Sequence, residues 1–340
     1  MTTNNAPSLL LALPEDLQRR LLAGCRYEDL FSLAAACRAV RDVVDSPRFK
    51  TARLTHGFVE REIVILGTRR PHAVDIRSSR TRSIKVSFTG GLQLVVGGTT
   101  TDGRRLFVGC KHSINSWKPT FVYALDAISR QWSRFAPLPH NRGLHCMEWY
   151  AGRLYVAGGL GEDVLDSFCV YNEATGSWDD LPPMPVACCC ASSGVIGDLL
   201  LIAGGSGQVA RTLQIFDFTT GQWRLGPPRP HGGDSSSGVV VEDKLFVPEQ
   251  NSLLIYDPQS EAWTQEGFPR PLFGFWQCAC AHHGRLIIFQ HNGSAYQRGP
   301  DGSWSTYRCT HAHARDALQT PAGEAHGSWG TTRAEVILLG

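Results

Sequence analysis

The chain has 340 residues, 42% of them hydrophobic, with 33 basic against 31 acidic side chains and a formal net charge of +2. That length and apolar content suit one large packed domain or two ordinary ones, and the balanced charge argues against wholesale nucleic-acid binding or an acidic-tail role. No apolar stretch reaches the roughly 18 residues of a membrane span, and no secretory signal is read at residues 9–13, so the eleven cysteines are expected as reduced thiols in the cytoplasm or nucleus.

After a tail of residues 1–11, the pattern of residues 12–56 is helical. Pro14 suits a first helical position with Glu15 and Asp16 in the first turn, and Leu13, Leu17 and Leu21 follow at i, i+4 and i+8 before Gly24. A second helical pattern runs through Leu30, Leu33, Cys37, Val40 and Val44 to Pro47. A module of this size buries little surface alone and is expected to lean on a partner. The residues Leu13-Pro14, Asp16-Leu17, Leu21-Leu22, Asp29-Leu30, Leu33, Ala36-Cys37-Arg38, Arg41 and Ser46-Pro47 make this stretch resemble an F-box, with Val40 where that family usually has tryptophan. The resemblance implies docking onto a Skp-family adaptor, and through it a cullin, by Leu13, Pro14, Leu17, Leu21, Leu30 and Leu33.

From residue 57 to 340 the pattern changes to short apolar runs and turns. In residues 154–185 one run ends in Gly158-Gly159, a second ends in Tyr171-Asn172, a Thr-Gly turn follows, and Trp178 closes the phrase. Tryptophans recur in the same place at Trp132, Trp178, Trp223, Trp263 and Trp304, spaced by 46, 45, 40 and 41 residues. This period signals one four-stranded propeller blade per repeat, and the phrase resembles a kelch repeat. The expected fold is therefore a small all-α F-box module followed by an all-β kelch propeller of six blades, closed by a strand at 334–339. In the first blade, strands are expected at 62–67, 73–76 and 84–88; a degenerate seventh blade within 308–333 stays open. Glycine pairs suit bends that leave no room for a Cβ, and the tryptophans suit the gaps between blades.

Chemistry is harder to find. Cys146, Cys188-Cys189-Cys190 and Cys278-Ala279-Cys280 fall near the innermost strands, where alternation would put Cys188 and Cys190 on one side and Cys189 on the other. Thiolates gathered round a channel are able to bind zinc or sense oxidants, yet free cysteine also packs as a small apolar residue. Cys309, His311 and His313 alternate without a second ligand cluster, 97–103 reads as a hairpin turn without a phosphate-loop lysine, and 232–238 has no nucleophile elbow. No catalytic residue, metal site or cofactor is expected. Loops at one end of the propeller carry His140, Asn141, Arg142, His231, Arg270, Phe273, Phe275 and Trp276, with Glu162, Asp163, Gln208 and Arg211 expected on the same face. Of these, Asn141, Arg142, His231, Arg270, Phe273 and Trp276 are the candidate client-binding residues. A basic run from Arg69 to Lys85 reads as a solvated edge or a contact for an acidic client.

Taken with the F-box frame, the whole resembles the plant F-box/kelch-repeat family. The resemblance implies a non-catalytic substrate receptor of an SCF-type ubiquitin ligase; a non-degradative scaffold and a kelch-fold enzyme are the alternatives.

Overall fold

The computed structural model describes most residues from 95 to 308, four strands at 60–66, 72–75, 80–83 and 333–339, and scattered residues between 13 and 49. Alternating apolar runs punctuated by turns become antiparallel strands in every described part of the repeat region. They are β1 (Glu60–Leu66), β2 (His72–Asp75) and β3 (Arg80–Ser83); β4 (Val95–Thr101), β5 (Arg105–Lys111), β6 (Phe121–Asp126) and β7 (Trp132–Pro137); and β8 (Cys146–Tyr150), β9 (Arg153–Ala157), β10 (Phe168–Asn172) and β11 (Ser177–Leu181). Then come β12 (Ser192–Ile196), β13 (Leu199–Ala203), β14 (Leu213–Asp217) and β15 (Gln222–Leu225); β16 (Val239–Val241), β17 (Lys244–Pro248), β18 (Ser252–Asp257) and β19 (Ala262–Gly267); and β20 (Cys278–His282), β21 (Arg285–Phe289), β22 (Ser294–Arg298), β23 (Trp304–Arg308) and β24 (Arg333–Leu339).

Among the described residues these strands make six four-stranded sheets. Five are blades of four consecutive strands, from β4–β7 to β20–β23, against the six expected; the other is a closing sheet of order β24-β1-β2-β3, completed by the C-terminal strand. The first strand of each blade is innermost, and β4, β8, β12, β16, β20 and β24 touch one another in a ring. The architecture is a β-propeller. Its closure rests on β24, which meets β1 antiparallel in seven registered pairs from Glu60↔Leu339 to Leu66↔Arg333, so the innermost ring has no free edge there. Residues 309–332, where a further blade stayed open, lie outside the described residues.

The repeating aromatics explain why the blades stay in contact. Tyr171, Phe216 and Tyr256 stand on the third strand of their blades, each paired in register with Trp178, Trp223 or Trp263 on the fourth. In all three pairs the ring centroids are 5.1 Å apart. Each indole fills an inter-blade gap and donates its Nε1–H across it: Trp178 to Pro137 O at 2.6 Å, Trp223 to Pro182 O at 2.9 Å, Trp263 to Pro227 O at 2.9 Å. Each acceptor ends or follows the outer strand of the preceding blade, so the same bond staples neighbours three times. Replacing Trp223 with phenylalanine should cost about 1 kcal/mol, the value of one such bond, and with alanine about 3–5 kcal/mol; a phenylalanine variant as stable as the parent in a urea titration would show that the bond contributes nothing.

Two sequence expectations need correction. The outer strand of the closing sheet is Arg80–Ser83, inside the basic run and paired with β2 from His72↔Ser83 to Asp75↔Arg80; the stretch at 84–88, where that strand was expected, lies outside the described residues. Gly97 and Gly98 are not a hairpin turn either, since they lie within β4 at a bulge between Val96 and Thr99. A Cβ at Gly97 or at Gly109 would strike the His145 imidazole of the next blade, and one at Gly98 would strike Met147, so the bulge makes room for a neighbour.

Of the N-terminal stretch the structure describes one helix, α1 (Arg38–Val44), and single helical residues at Leu17, Gln18, Leu21, Leu22, Leu33 and Phe49. The bond from Gln18 N to Pro14 O at 3.0 Å is a first helical turn starting where Pro14 allows it, and Cys37 N bonds Leu33 O in the same i to i−4 manner. Leu22, Val40, Val44 and Phe49 form a small buried cluster. Val40 is thus an internal packing residue, only 3% exposed.

Candidate functional site: two ends of the propeller

Strand direction separates the molecule's loops into two faces. One carries the connections into each innermost strand, such as 138–145 and 182–191, and those from second to third strands, such as 158–167 and 204–212. The other carries the tight hairpin turns, at Ala151-Gly152 and Gly197-Asp198 for example. Because β1 runs antiparallel to the innermost β24, Glu60 stands at the hairpin-turn end. The chain therefore enters the propeller from the face opposite the long loops.

On the loop face, neighbouring connections are laced together by backbone bonds. Gly143 and Leu160 exchange both bonds, at 2.9 and 2.7 Å, and Leu165 N reaches Gly159 O at 2.9 Å. Gly159 N bonds Cys188 O and Ser206 N bonds Cys189 O, tying the 182–191 connection to the loops on either side. His140, Glu162, Asp163, Val164, Arg211 and His231 are exposed here, and Asn141 is half-buried. Asn141 and Glu162-Asp163 share this face as the sequence implied, since the Asn141 carbonyl lies against Gly161. The connection that carries His231 is likewise tied to Arg211, whose Nε donates to Arg229 O at 2.9 Å. Arg270, Phe273, Phe275, Trp276 and Gln208 lie outside the described residues.

Arg142 does not face solvent. It is fully buried, with its guanidinium donating to Pro139 O at 2.8 Å, Gly158 O at 3.0 Å and Ser167 Oγ at 2.8 Å. Burial pulls its pKa down from the ordinary arginine value, opposed by Cys169 and Asp180. Cys169 contacts Asp180 Oδ1 at 3.3 Å, and burial first of all pushes its thiol up to about 11. As a contact for a client, Arg142 is excluded by burial; its side chain is spent inside the fold, where a buried cation needs all the acceptors it has.

A second buried arginine escaped the sequence reading. Arg229 is 0% exposed and forms an ion pair with Glu249 of the next blade, whose side chain is 13% exposed. Ser252 Oγ also donates to Glu249, at 3.3 Å. One blade earlier the corresponding places hold Met184, which lies against Gly158, and Gly204, against which Arg229 packs. The clue in the sequence was the missing glycine pair at Pro248-Glu249, which signals that something other than a bare turn occupies that corner.

Cys146, Cys188, Cys189, Cys190, Cys278 and Cys280 are buried, and the strict alternation expected for Cys188 to Cys190 fails. They precede β12 rather than lie in it, and Cys190 has φ +57°, as has Leu144 at +54° one blade earlier. This left-handed turn brings Cys189 and Cys190 together beside Leu144, while Cys188 joins the cluster of Cys146, Phe168 and Phe216. Burial, reinforced by Cys146 and Cys190, drives the Cys188 pKa upward, which favours the neutral thiol. Among the described residues no group of three or more His, Cys, Asp or Glu side chains is placed to hold a metal ion. Cys309, His311 and His313 lie outside the described residues. No described helix is long and apolar enough to cross a membrane.

In the N-terminal stretch, the residues read as adaptor contacts divide in a telling way. Leu17, Leu21 and Leu33 are 41%, 56% and 40% exposed, whereas their neighbours Leu22 and Val40 are 2% and 3% exposed. Pro14 is exposed, Leu13 is half-buried, and Leu30 lies outside the described residues.

Comparison with known proteins places these features in context. The Kelch motif family matches residues 142–185 and 187–230, the third and fourth repeats of the sequence. An F-box/kelch-repeat protein of Arabidopsis thaliana is 24% identical over 309 residues, covering 83% of this chain and 79% of the relative. A putative F-box/kelch-repeat protein of the same plant is 27% identical over 81% of this chain and 62% of its own length. Kelch-like protein 35 of Mus musculus is 28% identical over 44% of this chain, a match spanning 28% of that longer protein.

Proposed function

We propose, from the premise that this chain is a kelch-repeat propeller resembling the plant F-box/kelch-repeat family over most of its length, that it is the substrate-recognition subunit of an SCF-type ubiquitin ligase. Residues 12–56 are then an F-box that docks a Skp-family adaptor and through it a cullin, and residues 57–340 hold a protein client for ubiquitination, in the cytoplasm or nucleus. The observation that carries the reading is the exposure of Leu17, Leu21 and Leu33 on helical residues whose neighbours are buried. Three outward leucines on so small a module are apolar surface awaiting a partner's groove.

The client end is the loop face, through Asn141 and His231 with the neighbouring Glu162, Asp163, Val164 and Arg211, and through Arg270, Phe273 and Trp276. In this reading the two ends lie on opposite sides of the propeller, which is supported by Glu60 standing at the hairpin-turn face. The chain's contribution is positioning: it holds a client at a repeatable distance from the transferring enzyme, and no side chain here makes or breaks a bond.

Co-purification with a Skp-family adaptor tests the reading. The double variant Leu17→Asp with Leu33→Asp should weaken binding about 30-fold or more, the loss of at least one anchor worth about 2 kcal/mol, while the propeller's unfolding midpoint stays unchanged. Undiminished binding would remove the adaptor face from these leucines. Adaptor binding without ubiquitination of a captured client by the reconstituted ligase would favour the scaffold reading instead.

A further inference from the structure

We infer that Arg142 is the positioning residue of the loop face, the group that sets the shape of the client-binding loop 158–167 without touching the client. The inference rests on the reading that this face receives the client. Its basis is where the three donors go. Nη1 bonds the carbonyl of Gly158 and Nη2 bonds the hydroxyl of Ser167, and these two residues are the feet of the loop, joined by the bond from Gly158 N to Ser167 O at 2.9 Å. Nε bonds Pro139 O, which anchors the same guanidinium to the connection carrying His140 and Asn141. One planar group therefore fixes both feet of one loop and the entry of its neighbour, a geometry that a fork of rigid donors can satisfy and a single ammonium cannot.

The parts of the loop raised above these feet are the exposed ones. Glu162 and Asp163 are exposed, and Val164 is 43% exposed, one of few large apolar side chains so open among the described residues. These residues are held by Gly161 N to Asp163 O at 2.9 Å and the small bridges of Leu160 to Gly143 and Val164, and below them the loop is tied by Leu165 N to Gly159 O, Gly159 N to Cys188 O, Cys188 N to Leu165 O and Met184 N to Asp166 O. Local opening of such a segment is governed by its buried bonds, and here Arg142 supplies two of those at the base. A loop pinned at its feet presents the acidic pair and Val164 in one arrangement, which spares a client the cost of ordering them.

Amide hydrogen exchange of the full chain, followed by mass spectrometry without any partner, tests this. In Arg142→Met, peptides covering 158–167 should exchange about 10-fold faster than in the parent, while peptides of β13 and β14 keep their rates; Arg142→Lys should fall between. Ser167→Ala removes one bond only, and should speed the same peptide about 3-fold, which preserves the test if Arg142→Met does not fold. Equal acceleration in all blades, or no change at 158–167 in Ser167→Ala, would overturn the inference. Because no client is present, a failure here is distinct from a failure of the receptor reading, which would leave these exchange rates as expected.

Discussion

Replacing Glu249 with alanine should destabilise the propeller by about 3–5 kcal/mol, and adding Arg229→Met to that variant should recover most of the loss. The reason lies in what each change leaves behind. Arg229 is 0% exposed and Glu249 is the carboxylate that compensates it; burial already depresses the arginine's pKa, and Glu249 opposes that shift. Removing one partner of a buried pair strands a charge in a medium that solvates it poorly, whereas removing both restores an apolar corner at little net cost. Methionine is the apt replacement because Met184 fills the corresponding place one blade earlier. The order of stabilities in a urea titration decides the matter: parent and double variant close together, single variant far below. A single variant within about 1 kcal/mol of the parent would mean that water or another group takes over the role of Glu249.

Deleting residues 333–340 should abolish cooperative unfolding altogether. β24 is the innermost strand of the closing sheet and is bonded to β1 along all seven residues, and it also touches β20 and β4 on either side. Its loss would leave the backbone groups of β1 unpaired along a whole strand edge and remove the packing between β4 and β20, an open edge that invites association between molecules. The expected result is an aggregated or partly folded chain, read as loss of the near-ultraviolet circular dichroism signal and of a thermal transition. A truncated chain that still melts in one sharp transition would show that the ring closes without its last strand.

Much of this architecture could be read from residue spacing alone. The recurring tryptophans gave the blade period, and they stand where a gap-filling role requires, on outer strands with their Nε1 groups stapling three junctions. The terminal strand was legible from a bare apolar run, because a propeller with one strand left over has one place for it. Arg142 was misread for a physical reason: in a sequence, an arginine between Asn141 and Gly143 in a polar loop looks solvated, and nothing reveals that three acceptors converge on it inside. The Arg229–Glu249 pair was hidden because its partners lie in different repeats, and each looks like a surface residue until burial is known. Cys190 defeated the alternation rule through one left-handed backbone angle, φ +57°, at a residue type that seldom adopts it. The leucines divided correctly only in three dimensions, since Leu21 and Leu22 are adjacent in the chain and opposite in exposure, 56% against 2%.

The pairing of the first described strand with the last has a consequence for biosynthesis. Domains begin to fold while the chain emerges from the ribosome, but β1 must wait for β24, separated from it by nearly the whole repeat region. Contacts so distant in sequence form slowly. In a nascent chain the N-terminal helical residues are therefore complete long before the propeller ring can close. During that interval the ring stands open, with the β1 edge available to chaperones, and a ribosome that stalls before β24 releases a chain whose propeller cannot close.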